Sequence, residues 1–217
     1  MIDVDLGSAQ SAELLFLTGF PAEATGLATF SISAGTSAGS ADVAFINALT
    51  ESTYGFDPRR GQAAVVFPSA LSARHWRVTL TQTGGTYLQI GRLFLSPVLP
   101  VSVNVGYPFG ARAIDPSRKI TGQARQVFTY REKLRRELSF TYDATGATAD
   151  DVFDVLGGEL DDTVGTHSPI VMIPDREAGN APWDIRKAVY GYLSDLGVPQ
   201  AQGFNQYGRT YRLLEAG

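Results

Sequence analysis

Cysteine does not occur in this chain. Its absence removes disulfides, thiolate catalysis and cysteine-ligated zinc. Histidine is nearly as scarce, present only as His75 and His167. Two isolated histidines do not have zinc-ligand spacing. His75 sits in a strand-like run beside Trp76, and His167 follows Gly165-Thr166 in a turn, so both read as ordinary structural or surface histidines. No apolar run reaches the length of about 18 residues that spans a bilayer, and no membrane insertion is expected. The N-terminus, MIDVDLGSAQ, has aspartates where a signal peptide has basic residues. The chain is therefore expected to be made soluble in the cytoplasm, and to leave a cell only by lysis or within a particle.

Excess charge of either sign is also missing. Eighteen basic residues face 22 acidic ones, a net charge of −4, which gives no global pull toward nucleic acid and no expectation of sequence-specific binding to it. Adjacent carboxylates occur at Asp150-Asp151 and Asp161-Asp162. A glycosidase needs its pair facing across a cleft, whereas neighbouring acids at a helix start complement the helix dipole. Asp3, Asp5, Asp42 and Asp57 are oxygen donors suited to calcium, but no D-x-D-x-D-G loop organises them. Neither an enzyme, a metal site nor a cofactor is expected.

What is present is a globular composition, 44% hydrophobic and 18% charged over 217 residues, enough for one or two domains. Short strand-like segments fill the first part. Ile2 to Leu6 alternates and stops at Gly7; Glu13 to Gly19 is a compact apolar run; Leu27 to Ser33 alternates again. Gly35 to Ser40 reads as a loop, Val43 to Ile46 as a short element, and Glu51 to Arg60 as a long surface loop with a turn at Asp57-Pro58. Ala63 to Phe67 is strand-like and ends at Pro68. Arg74 to Leu95 reads as a hairpin: Trp76, Val78 and Leu80 alternate with polar residues, Gly84-Gly85 turns, and a second apolar arm follows. Gly91 inside that arm signals a bulge or a close backbone approach. Strands at this spacing, with no amphipathic helix, predict a β-sandwich.

Pro97 to Pro108 marks a passage to a second part. Residues 112–136 hold eight bases against two acids. Gln126 to Tyr130 and Arg135 to Tyr142 read as strands. Thr148 to Leu160 is the best helix, with Thr148 as N-cap and an apolar stripe of Val152, Val155 and Leu156; Gly157-Gly158 ends or interrupts it. Pro169 to Pro174, Ala188 to Leu193 and Arg209 to Leu214 close the chain as strands.

Two resemblances follow from specific residues. Asp5-Leu6-Gly7, the run Ala73-Arg74-His75-Trp76-Arg77-Val78 and Gly91 to Leu95 (GRLFL) resemble the discoidin, or galactose-binding-like, sandwich. The second rests on four segments in order: Ile90 to Phe94, Asp115 to Arg118, Arg135 to Phe140 and Ile170 to Asp175. This order resembles tail-tip or distal tail proteins of tailed phages, siphophage or gene-transfer-agent-like, that carry such a domain. Together they imply a mainly β protein, with a galactose-binding-like sandwich over 1–97 and a β-barrel-like, ring-forming tail-tip part with one helix over 98–217. The implied function is a virion structural protein at the distal tail or baseplate. It would form a homo-oligomeric, hexameric ring that contacts the tail tube and the hub.

Candidate sites are of two kinds. Tyr54, Phe56, Arg59 and Arg60 share one loop and combine aromatic platforms with planar hydrogen-bonding groups, as a glycan site requires. They underlie the alternative function, a carbohydrate-binding host-recognition module. Arg112, Arg118, Lys119, Arg125, Arg131, Arg135 and Arg136 form the basic stretch, expected to serve subunit contacts.

Overall fold

The structure, a computed structural model, describes residues 1–19, 27–49, 55–57, 60–82, 89–99, 105–121, 126–142, 151–173, 188–203 and 206–216. It is mainly β and divides into two units, one built on Met1–Val98 and one on Leu99–Pro174 with Ala188–Gly217.

The first unit holds β1 (Ile2–Thr18), β2 (Leu27–Gly35), β3 (Ala44–Leu49), β4 (Gly55–Asp57), β5 (Gln62–Gln82) and β6 (Arg92–Ser96). They form one antiparallel sheet ordered β3-β2-β5-β1-β6, with β4 beside β5. Two of these strands are far longer than the segments expected. The alternating Ile2 to Leu6 and the apolar Glu13 to Gly19 belong to a single strand, which passes Gly7 through a register break opposite Arg74. Gly7 sits at φ +76°, a backbone state that glycine reaches without strain. Likewise β5 runs through Pro68, because Pro68 falls in the second register break, between the pairs Leu14↔Val66 and Ala12↔Leu71. At a bulge the missing N–H of proline costs no ladder bond.

These breaks fold the sheet on itself. Phe67 and Trp76 lie nine residues apart on β5, about 30 Å along an extended strand. Their rings nevertheless stack with centroids 5.8 Å apart. The β1–β5 ribbon must therefore bend sharply between them, and Pro68, Ser69 and Ala70 stand exposed at the bend. Leu15, Leu17, Ala63, Val65 and Phe67 from one side of the bend share a core with Ile32, Ala34, Trp76 and Val78 from the other. One bent sheet supplies both walls where two facing sheets were expected.

The hairpin expected over Arg74 to Leu95 is replaced by longer-range pairing. Gly84-Gly85 lies outside the described residues. β5 pairs with β1 and β2, and β6 pairs with β1 in the register Leu14↔Ser96 to Thr18↔Arg92. The signal at Gly91 has a clear cause. Its amide donates to the Thr18 carbonyl at 2.8 Å, and a Cβ on Gly19 would lie 2.6 Å from the Gly91 Cα. Gly19, at φ +85°, needs glycine for the two backbones to touch, and a Cβ on Gly91 would be a tight fit at 3.2 Å from the Gly19 Cα.

The second unit holds β7 (Val105–Ile114), β8 (Arg118–Thr121), β9 (Val127–Tyr130), β10 (Arg135–Tyr142), helix α1 (Asp151–Val164), β11 (Pro169–Met172), β12 (Val189–Asp195), β13 (Gln200–Gly203) and β14 (Gln206–Glu215). Its main sheet runs β11-β12-β14-β10-β7, with β13 on β14. The expected barrel is not closed: β11 and β7 end the sheet and do not pair with each other among the described residues. Alternation in β10 puts Leu138, Phe140 and Tyr142 into the core. Phe140 stacks at 5.6 Å on Tyr211, its register partner in β14, and Tyr142 meets both rings edge-on. Full burial of each such ring contributes roughly 1.5–3 kcal/mol.

Helix α1 does not stop at Gly157-Gly158. It continues to Val164, wound with a wide turn in which the Gly165 amide reaches the Leu160 carbonyl at 2.9 Å. Tertiary contacts outweigh the glycines. Leu160 is buried, Val164 packs on the same core, and Asp161 meets Arg209 at 2.5 Å. Arg209 in turn lies 5.0 Å over the Tyr211 ring and donates to the carbonyls of Leu196 and Gly197. Burial pushes the Tyr211 phenol above its usual range. The expected N-cap, Thr148, lies outside the described residues.

Candidate assembly interface

β7 and β10 pair from Arg135↔Ile114 to Tyr142↔Val105, and β8 pairs with β9 from Arg118↔Tyr130 to Thr121↔Val127. The four strands are thus two halves of one long hairpin. Its inner half belongs to the main sheet. Its outer half, β8–β9, forms a two-stranded sheet of its own.

The joint between the halves is built locally. Asp115 accepts the Ser117 amide at 2.9 Å, a turn that proline between them favours. Hydrogen bonds from the Ser117 side chain and backbone hold the Asp115 carboxyl below the usual carboxylate range. Across the joint, the Glu132 amide donates to the Ser117 hydroxyl at 3.0 Å. Three residues on one side face four on the other, so the ladder breaks here and resumes beyond.

Every residue of β8 and β9 is exposed. Directly opposed residues share a face, and so do residues two apart along a strand. One face therefore carries Arg118, Ile120, Phe128 and Tyr130, the other Lys119, Thr121, Val127 and Thr129. Ile120, Phe128 and Tyr130 are 51%, 54% and 62% exposed, and Leu134 at the joint is 54% exposed. A lone two-stranded hairpin is marginal in water, and an apolar face on one calls for cover.

The basic residues of the stretch divide into distinct groups. Arg118 and Lys119 lie on the outer hairpin and Arg131 at its base; Lys119 is close enough to Asp115 to favour its carboxylate, while Arg118 and Arg131 have no ionic partner among the described residues. Arg125 lies outside the described residues. Arg112 pairs across the ladder with Glu137 at 2.8 Å while its side chain remains 68% exposed. Arg135 approaches Glu132 only to 3.8 Å. Arg136 departs from the surface group altogether. Its side chain is 12% exposed, it meets Glu215 at 2.9 Å, and it donates to the Ala188 carbonyl at 2.6 Å. That arginine closes the sheet and is not a surface charge of this unit.

The glycan candidates are only partly placed. Tyr54 and Arg59 lie outside the described residues. Phe56 is on β4 opposite Ala63, and Arg60 is half-buried in the turn before β5. Of the oxygen donors considered for calcium, Asp3 and Asp5 are taken by arginines. Asp3 meets Arg77 at 2.6 Å and Asp5 meets Arg74 at 2.8 Å. Asp42 accepts from the Thr36 amide and hydroxyl, closing the loop before β3. Asp57 is on β4 opposite Gln62. His75 is 3.9 Å from Asp5 on the edge of this ion-pair group, and His167 is exposed.

The charge run was visible in the sequence. The apolar face interleaved with it was not, because β8 spans only four residues and shows too little alternation to register as a strand. Its pairing with β9 is what turns scattered Ile120, Phe128 and Tyr130 into one surface. No protein-family model, curated protein or solved structure matches the chain.

Proposed function

We propose that this chain is a structural subunit of a phage-like tail, placed at the distal tail or baseplate and assembled as a homo-oligomeric ring between tail tube and hub. Function here lies in interfaces and not in turnover. One observation carries the reading: the β8–β9 hairpin presents an apolar face flanked by exposed basic side chains, and among the described residues nothing of its own unit buries it. A monomer gains nothing from such an extension, whereas an assembly subunit buries it against a neighbour. The order of the four segments that resembles tail-tip proteins supplies the particle context, and the galactose-binding-like resemblance of the first part fits a packing module within it.

Native mass measurement and electron images of the purified chain test the proposal. The expected result is a closed ring with six copies as the specific expectation. A monomer at every concentration that binds glycans on an array would replace the ring reading with the host-recognition module.

A further inference from the structure

The outer hairpin is both apolar on one face and strongly basic. Residues 118–134 hold Arg118, Lys119, Arg125, Arg131 and Lys133 against the single acid Glu132, a net +4. Because the whole chain is −4, everything outside this hairpin carries −8. The densest acidic segment is helix α1, whose Asp151, Asp154, Glu159, Asp161 and Asp162 are accompanied by no base. Asp161 is occupied by Arg209, and Asp162 is exposed.

We infer that the β8–β9 hairpin of one copy docks on a second copy of this chain, covering Ile120, Phe128 and Tyr130 and bringing Arg118, on the same face, and Arg131 to the acidic helix α1. The inference rests on the ring-subunit reading and adds which surfaces meet. Charge selects the occupant. Two hairpins packed face to face would set +4 against +4, whereas the rest of the chain offers the opposite sign. Area is consistent as well. The three apolar side chains leave on the order of 300 Å² in water. With Leu134 and the stems of the basic residues, this approaches the roughly 800 Å² that each partner contributes to a standard interface. Because hairpin and helix are different surfaces, the contact is head-to-tail, the type that closes into rings or runs on as a filament.

The test uses the full chain and its mass in solution. Wild type is expected at a multiple of 23.3 kDa. Phe128→Asp is expected at monomer mass with the circular dichroism spectrum of a folded chain, since the side chain it replaces is exposed in its own unit. The double variant Arg118→Glu/Arg131→Glu should weaken association by about tenfold or more. Adding Asp162→Arg to it should restore part of that loss. An oligomer that survives both Phe128→Asp and the charge reversal overturns the docking and leaves the ring reading standing. Loss of association with no recovery by Asp162→Arg overturns the assignment to helix α1. A wild-type monomer at the highest attainable concentration overturns the docking and the ring together.

Discussion

Arg136 and Glu215 form a closed pair although 79 residues separate them. The Arg136 amide donates to Glu215 Oε2 at 2.8 Å, and its guanidinium donates twice to Oε1. Both side chains are nearly buried. The pair ties the start of β10 to the end of β14, and the Ala188 carbonyl adds the residue before β12. Three strands of the second unit are thereby clamped at one point.

Glu215→Ala removes the partner and leaves a desolvated guanidinium. A loss of roughly 3–5 kcal/mol is expected, read as a fall in the urea midpoint. The double change Arg136→Met/Glu215→Leu leaves no orphaned charge and should cost much less than the single one. Equal losses from both would mean that side-chain volume, not charge, sets the effect.

Phe67→Ala should cost roughly 3–5 kcal/mol, as should Trp76→Ala, because each opens a cavity at the bend of β5. Both rings are essentially inaccessible to solvent. Since they stack on each other, the double variant should cost measurably less than the two single losses together. Additive losses in a denaturation cycle would contradict the contact.

Acid should act on the Asp3–Arg77 and Asp5–Arg74 pairs. Hydrogen bonds from the arginines, first among the causes, hold both carboxyls below the ordinary aspartate value of 3.8. The folded state therefore binds fewer protons than the unfolded one at these sites. Their contribution is present above about pH 4 and is lost as pH falls through the depressed folded values. Stability measured from pH 7 down to pH 2 should fall less steeply in Asp3→Asn/Asp5→Asn than in wild type. High salt should shrink the difference, because both pairs are exposed.

Local pattern sufficed where a strand is decided by its own residues. The alternation of Arg135 to Tyr142 matches β10 at both ends, and Trp76 is a core residue as its alternation implies. Gly91 signals a bulge or a close backbone approach, and the approach is to Thr18 and Gly19. Pattern failed where distant residues decide. Gly7 and Pro68 look like strand ends, yet the β1–β5 ribbon absorbs both as bulges because its pairing continues on either side. The apparent hairpin after Trp76 yields to pairing with β2 and β1, whose residues lie tens of positions away. Arg136 is indistinguishable from Arg135 in a basic run; only Glu215, at the other end of the unit, separates them.

The position of β1 inside its sheet has a consequence for synthesis. Its partners on both sides, β5 and β6, are encoded well after it. The residue that pairs with Ile2 is Val78. At 5–20 residues per second, the first strand leaves the ribosome about 4–15 s before its complement exists. Throughout that interval a 17-residue segment that carries Leu14-Leu15-Phe16-Leu17 has open edges on either side. Nascent chains on crowded polysomes would meet one another in this state, so the first unit should be most prone to wrong pairing while it is being made, before β5 and β6 occupy the edges of β1.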